Sequence, residues 1–524
     1  MIAILVEDGG NASGASLRLL EHTYREAGFD WDRCRVRKVS SRVMRFGDPK
    51  SLFLVYKADH KVPNEQLAVD IDSTWGWLKD TKPSIVIAHG DLATYALNGL
   101  MKSASFRGSQ TTITVNDHET PLMTTYAPAM VIKRWDWRPI MSVDLKRAKR
   151  MLDLGYHYPD YHFTVRPTAQ ECFTILGDLL YRANTSPTPV ELAFDIETIA
   201  RHMACIGIAW SATEAICIPL ITKDNDDHNY FTEWEEVQIT QMLRELQQHP
   251  NTIIIGQNYS YDTQFYARYW GYVPTNVVDT MTIQHTLFPG MPKALDFLSS
   301  MYCKFHVYWK DELKDYKRLP ADEHVFWQYN CKDCVITFEA YQALKQLTID
   351  LGFSEQVAFQ LDLFYPVMQM MLRGVRMNLK LKGTISMELL DSIYEREMLI
   401  KDLLGETINV KSPKQMQKLF YEDLGLPVQK ARTPAGYRPT TNGEALGKLA
   451  IKEPLIVPIV QAIDEIRSLN IFLSNFANAA LDPDDRIRCS YNVSGTETFR
   501  FSSSKSVFDT GANLQTIPRG TEDD

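Results

Sequence analysis

The sequence predicts a chain in three parts: α/β over 1–160, α/β again over 161–350, and mainly helical with a late return to strands over 351–524. Three observations predict it. Short apolar runs of strand length recur ahead of helix-like segments up to about residue 345. Residues 355–405 then read as mostly helical, and residues 483–520 turn Ser/Thr/Gly-rich and partly strand-like. The 524 residues also have room for about three domains of ordinary size.

In order, the strand-like runs are 2–6, 51–55 and 84–88 in the first part, then 192–196, 205–209, 215–219 and 252–256 in the second. Gly155, Pro159 and several aromatic residues break the helical pattern over 153–162, which marks a first boundary. Leu351-Gly352 marks a second. The 45% hydrophobic and 23% charged fractions are those of a globular protein. No apolar run is long enough for a bilayer, and no signal-peptide pattern opens the chain. The eight cysteines are scattered and read as reduced thiols of a cytoplasmic protein; Cys331-Lys332-Asp333-Cys334 has no second CxxC to make a zinc site with it.

A net charge of −9 does not itself point to nucleic acid. Local patches decide affinity, and two are basic. Residues 131–150 hold seven basic side chains against two acidic ones, and residues 411–452 hold eight against three.

The chemistry concentrates in four carboxylates. Asp195 and Glu197 follow Leu192-Ala193-Phe194 at a spacing that puts both on one face of a strand. Asp262 closes Asn258-Tyr259-Ser260-Tyr261-Asp262, and Asp333 closes Tyr329-Asn330-Cys331-Lys332-Asp333. The spacing of four predicts that each pair, Asn258/Asp262 and Tyr329/Asp333, shares a helix face. Acids brought together need divalent cations to offset their repulsion, and two cations ~4 Å apart are a common apparatus for cutting phosphodiesters.

In this order, and with Val278-Asp279-Thr280 and Leu295-Asp296-Phe297-Leu298 between them, these segments resemble the three motifs of the DnaQ-like 3′–5′ exonucleases, in the form found in bacterial and phage family A DNA polymerases. The resemblance implies an RNase H-like α/β domain and two Mg²⁺ or Mn²⁺ ions. It implies that Asp195 bridges both ions, that Glu197 and Asp333 complete the first site, and that Asp262 holds the second through water. Tyr329 would orient the attacking hydroxide, and Asn258 would contact the strand near its 3′ terminus. After Asp195-Ile196-Glu197-Thr198 this chain reads Ile199-Ala200-Arg201-His202, without the wedge leucine usual in the family.

Further on, Asn409-Val410-Lys411-Ser412-Pro413-Lys414-Gln415 predicts a helix capped by Ser412, with Pro413 in its first turn and Gln415 closing a capping box. Helix N-termini flanked by lysines suit phosphate. With Arg373-Gly374-Val375-Arg376, Thr496-Glu497-Thr498-Phe499-Arg500-Phe501-Ser502-Ser503 and Asn513-Leu514-Gln515, this order resembles the thumb and first palm strands of the same family. Phe499 stands where the family has glycine. The resemblance implies DNA contacts from Lys411, Ser412, Lys414, Gln415, Arg500, Asn513 and Gln515. It also implies primer-template DNA and single-stranded 3′ ends as partners, and a second polymerase chain carrying the catalytic palm and fingers, whose motifs are not found here.

The first 160 residues resemble the uracil-DNA glycosylase superfamily through Gly14-Ala15-Ser16-Leu17, Phe106-Arg107-Gly108 and Thr124-Thr125-Tyr126-Ala127-Pro128. Ala127 stands where members carry histidine, and Glu7-Asp8-Gly9-Gly10 replaces their acidic loop. A DNA- or partner-binding domain without base excision is expected. Two further readings of the chain are a non-catalytic DNA-holding subunit and a 3′ nuclease acting on RNA.

Overall fold

The computed structural model describes residues 1–7, 14–40, 49–57, 60–226, 228–312, 320, 322–433 and 436–517. They form two units, Met1–Asp362 and Leu363–Asp524.

The first unit begins with β1 (Ile2–Val6), α1 (Gly14–Glu26), β2 (Cys34–Lys38), β3 (Phe53–Tyr56), β4 (Lys61–Pro63), α2 (Glu65–Thr81), β5 (Ile85–His89), α3 (Asp91–Asn98) and α4 (Ser103–Phe106). Then come β6 (Thr111–Val115), β7 (His118–Thr125), α5 (Pro128–Lys133) and α6 (Arg138–Leu154). The sheet order is β2-β1-β5-β7-β6, parallel except at its β6 edge. β1 and β5 are buried at every position, as strands sealed on both faces require, and so they read as unbroken apolar runs.

A second sheet follows in the same unit. Its elements are β8 (His162–Thr164), α7 (Ala169–Thr185), β9 (Val190–Ile199), β10 (His202–Ala209), β11 (Glu214–Pro219), α8 (Glu233–Gln248), β12 (Thr252–Gly256), α9 (Ser260–Phe265), β13 (Val277–Asp279), α10 (Thr280–Leu287), α11 (Leu295–Tyr302), α12 (Glu323–Asp350) and α13 (Ser354–Asp362). The order β13-β12-β9-β10-β11-β8 puts β9 in the middle, parallel to β12 and antiparallel to β10. The tight β9–β10 turn is made by Ala200 and Arg201, both with positive φ. α12 lies across β9, β10 and β11, and Gly207 on β10 lets it approach: a Cβ there would meet Asn330 Oδ1 and Cys334 Sγ at 2.5 Å. The CxxC cysteines are thus buried packing groups of this helix.

The unit ends at Asp362 rather than near 351, because α13 packs on α10 and buries Val357 in the core of the second sheet. The boundary near 153–162 falls between the sheets, yet the two halves share a buried seam. Asp144 on α6 accepts from Arg107 Nη2 at 2.7 Å and from Thr125 Oγ1 at 2.7 Å. Arg107 also donates to Ser300 Oγ on α11 at 2.5 Å. Arg147 donates to the carbonyls of Ser300 and Cys303, each at 2.6 Å. Burial pulls the Arg147 guanidinium down to about 10.

The structure narrows the basic patch over 131–150, leaving Lys133, Lys146 and Arg150 exposed on it. Arg147 is interior, Arg134 pairs with Asp136, Arg138 with Glu26, and Lys149 with Asp153. A linear charge count cannot see that helical spacing turns Arg147 inward.

The second unit contains α14 (Phe364–Arg373), β14 (Val375–Arg376), α15 (Leu379–Leu404), α16 (Pro413–Gln417), β15 (Lys430–Thr433), β16 (Gly436–Pro439), α17 (Gly443–Lys452), α18 (Val457–Phe472), β17 (Arg486–Ile487), β18 (Cys489–Asn492) and β19 (Ser502–Lys505). Ile393 and Ile400 of α15 and Ile463 and Ile466 of α18 share its main core with Phe420. The strands pair as ribbons, β14 with β17, β15 with β16 and β18 with β19.

Candidate functional site

The central strand and the crossing helix bring the predicted acids together. Asp195, Glu197 and Asp333 place carboxylate oxygens within 4.8 Å of one another. Asp262, from α9, turns its Oδ1 onto the backbone N–H of Ile196 at 2.9 Å, so it docks on β9 between the other two strand acids. Tyr329 stands one helical turn before Asp333 on α12.

The neighbours fix this geometry. Asn330 donates to Asp195 Oδ2 at 2.9 Å. Asp333 accepts from the Trp309 indole N–H at Oδ1, 2.7 Å, and from Lys310 Nζ at Oδ2, 2.6 Å. The Lys310 ammonium also lies 5.0 Å from the Tyr329 ring centre and 5.1 Å from that of Trp309. Asn330, Trp309 and Lys310 were not anticipated as site residues. The last two lie in a stretch without regular periodicity, and only their Trp-Lys-Asp text could have drawn notice.

Electrostatics shows what the centre lacks. Burial first, and then Asp333, pushes the Asp195 carboxyl up to about 8. Burial and the neighbouring acids likewise hold Glu197 and Asp262 well above the carboxylate range. Burial lowers the Lys310 ammonium, but Asp333 and Tyr329 outweigh it and hold the ammonium above its ordinary value. One lysine against four carboxylates leaves a deficit of positive charge that hard divalent cations with oxygen ligands fit.

A pH consequence follows. The Asp195 carboxyl, pushed up to about 8, holds its proton at neutral pH, and its cation-bound form must give that proton up. Divalent-ion uptake at pH 7 is expected to release protons, and affinity to climb as pH rises towards about 8. Calorimetry of Mn²⁺ binding in two buffers of unequal ionisation enthalpy measures the proton count.

Two expected arrangements differ. Asn258 does not share a helix face with Asp262: its φ is +58°, and α9 begins only at Ser260. The turn is stapled instead by Asp279, whose carboxylate accepts from the N–H groups of Asn258 (3.0 Å), Tyr259 (2.8 Å) and Met281 (2.8 Å). Ser412 does cap α16, but Gln415 reaches back to the Asn409 N–H at 2.8 Å rather than closing a box on Ser412.

Within the second unit, Lys411, Ser412 and Lys414 lie together at the start of α16. Phe499 has φ +61°, the left-handed conformation that glycine adopts without strain, so the fold keeps a glycine-type turn there despite the side chain. Next to it, Arg500 N–H donates to Thr496 Oγ1 at 3.0 Å. Gln515 and Asn513 converge on Ser503, with Ser503 Oγ 2.9 Å from Gln515 Oε1. His202 is exposed at the β9–β10 turn. Residues 8–10 of the early acidic loop lie outside the described residues.

Comparison with known proteins agrees with this geometry. Residues 170–349, which hold all four acids and Tyr329, match the family described as 3′–5′ exonuclease. That span is a 3′–5′ exonuclease domain. Residues 380–524 match DNA polymerase family A. The chain thus carries a span similar to the 3′–5′ exonuclease family followed by a span similar to DNA polymerase family A.

DNA polymerase I of Pseudomonas aeruginosa is 26% identical over 346 residues, covering 62% of this chain and 36% of its own length. That of Mycobacterium leprae is 33% identical over 147 residues, 28% of this chain and 15% of its own. The chain therefore spans about a third or less of these relatives. The POL domain of Pol1 from M. smegmatis, solved with DNA primer-template and dNTP, aligns over 66% of this chain and 55% of its own at TM-score 0.48 and 19% identity. Among the described residues, no helix is long and apolar enough to cross a membrane.

Proposed function

We propose that this chain removes 3′-terminal nucleotides from DNA as the proofreading part of a family A polymerase in DNA replication. The observation that carries the reading is the Asp195–Glu197–Asp333 cluster, with Asp262 docked on its strand and Tyr329 one turn away. Two Mg²⁺ or Mn²⁺ ions held by these acids would supply a nucleophile at neutral pH and charge relief at the leaving 3′ oxygen.

The chain's own residues would do the rest. Asp195, clustered with Glu197 and Asp333 and on the strand where Asp262 docks, would hold the ions together with them. Burial, and then Asp333, pushes the Tyr329 phenol up, so it stays a neutral hydroxyl able to orient a water by hydrogen bonding. Asn258 would meet the strand near its terminus. Arg500, Asn513 and Gln515 would read the primer end, and Lys411, Ser412, Lys414 and Gln415 would hold backbone phosphate. The first 160 residues would bind DNA or a partner as a uracil-DNA glycosylase-like domain without base excision. Polymerisation would require a palm and fingers, whether on a partner chain or on the same polypeptide.

The test uses single-stranded DNA and RNA labelled at the 3′ end. Mononucleotide release from DNA with Mg²⁺, stopped by chelation, is expected. Preference for RNA would replace the DNA reading with RNA processing. Absence of cleavage with intact binding would favour a DNA-holding subunit. Nucleotide incorporation only after a palm-and-fingers chain is added would support the two-chain arrangement.

A further inference from the structure

Asp333 has both carboxylate oxygens engaged by one short segment, through the Trp309 indole and the Lys310 ammonium. That segment does not stand alone. The first half of the unit grips it from behind. The Gln110 N–H donates to the His306 carbonyl at 2.8 Å, and the Gln110 side-chain oxygen accepts from the His306 N–H at 3.1 Å. Ser109 Oγ accepts from the Tyr308 N–H at 3.1 Å, and Lys102 pairs with Asp311 at 2.9 Å. A strap over 306–311 therefore runs from the N-terminal sheet into the carboxylate cluster.

The physical problem is one of competition. A divalent ion ligated by Asp333 needs an oxygen that the ammonium now holds, and a positive charge a few ångströms from the ion repels it. The same ammonium offsets part of the acids' mutual repulsion when no ion is bound. It can move without leaving the site, since its stem is flexible and the Tyr329 and Trp309 rings offer cation–π contacts.

We propose that Lys310 is a positioning residue of this centre, a resident counter-ion on Asp333 that the divalent metal displaces, held at its post by the N-terminal domain through the strap. The inference rests on the metal-dependent reading of the site.

It is tested by calorimetric titration of Mn²⁺ into the full chain without DNA. Lys310→Met, which keeps the apolar stem but removes the charge, is expected to bind Mn²⁺ about tenfold more tightly than the native protein. Lys310→Arg, which keeps the charge, should stay within about twofold of native. Gln110→Ala, remote from the acids, should shift affinity in the Lys310→Met direction by loosening the strap. If Lys310→Met does not fold, Lys310→Gln carries the same expectation. A merely structural lysine would give the opposite sign, weaker binding through a disordered Asp333. Unchanged or weaker binding in the charge-removing variant overturns the proposal while native Mn²⁺ binding leaves the metal site standing. Native protein that binds no more Mn²⁺ than Asp195→Ala overturns both.

Discussion

Asp195→Ala is expected to lower 3′-end hydrolysis by at least about a thousandfold, some 4 kcal/mol of transition-state stabilisation. Asp195 is the acid closest to all the others in function: it shares β9 with Glu197, its oxygens lie within 4.8 Å of those of Glu197 and Asp333, and Asp262 is bonded to the next backbone N–H. Removing it takes a carboxylate from the middle of the cluster that the proposed ions would need. The fold should not suffer. Burial raises the Asp195 carboxyl, so ionising it in the metal-free protein costs stability at neutral pH and above. Asp195→Asn, which preserves the Asn330 contact region, is therefore expected to melt at or above the native temperature while remaining inactive. A quenched-flow assay on 3′-labelled DNA alongside calorimetric melting separates the two effects. Retained hydrolysis would disprove the site assignment.

The second large effect concerns stability. Asp144→Ala is expected to destabilise the first unit by about 3–5 kcal/mol, because it leaves a buried guanidinium unpaired. The Arg107 and Asp144 side chains are 2% and 0% exposed. Thr125 Oγ1 loses its acceptor in the same change, and Gly108, whose Cβ position would fall 2.9 Å from Asp144 Oδ1, gains a void beside it. Urea unfolding followed by hydrogen exchange in β5 and β7 reads the loss. The double variant Asp144→Ala/Arg107→Met should recover a good part of it, since it removes the orphaned charge as well.

The sequence made the strands and acids legible because their signals are local. The runs 2–6 and 252–256 are strands with those same limits, and Asp195 and Glu197 fall together because alternation along β9 is a period-two fact. Asp333 and Tyr329 fall together because α12 is continuous through both. The Asn258/Asp262 pairing did not hold as a helix face, because a spacing of four means one face only where φ stays helical, and Asp279 holds Asn258 in a left-handed turn. Trp309 and Lys310 reach Asp333 across more than twenty residues of chain from a loop, and no periodicity encodes that contact. Gln415 illustrates the same limit on a small scale: its side-chain oxygen takes the Asn409 N–H, while the Ser412 N–H goes to the Asn409 carbonyl.

The seam along α6 and α11 sets the smallest portion of chain in which the nuclease can be whole. Phe297, on α11, packs within the core of the N-terminal sheet, and Arg147 closes the carbonyl end of the same helix from the other side. A nuclease cut free at residue 161 would lose the groups that satisfy those carbonyls, and its strap would hang from one end. Residues 1–362 form one compact unit, so the N-terminal sheet is a wall of the carboxylate-bearing fold rather than an appendage to it.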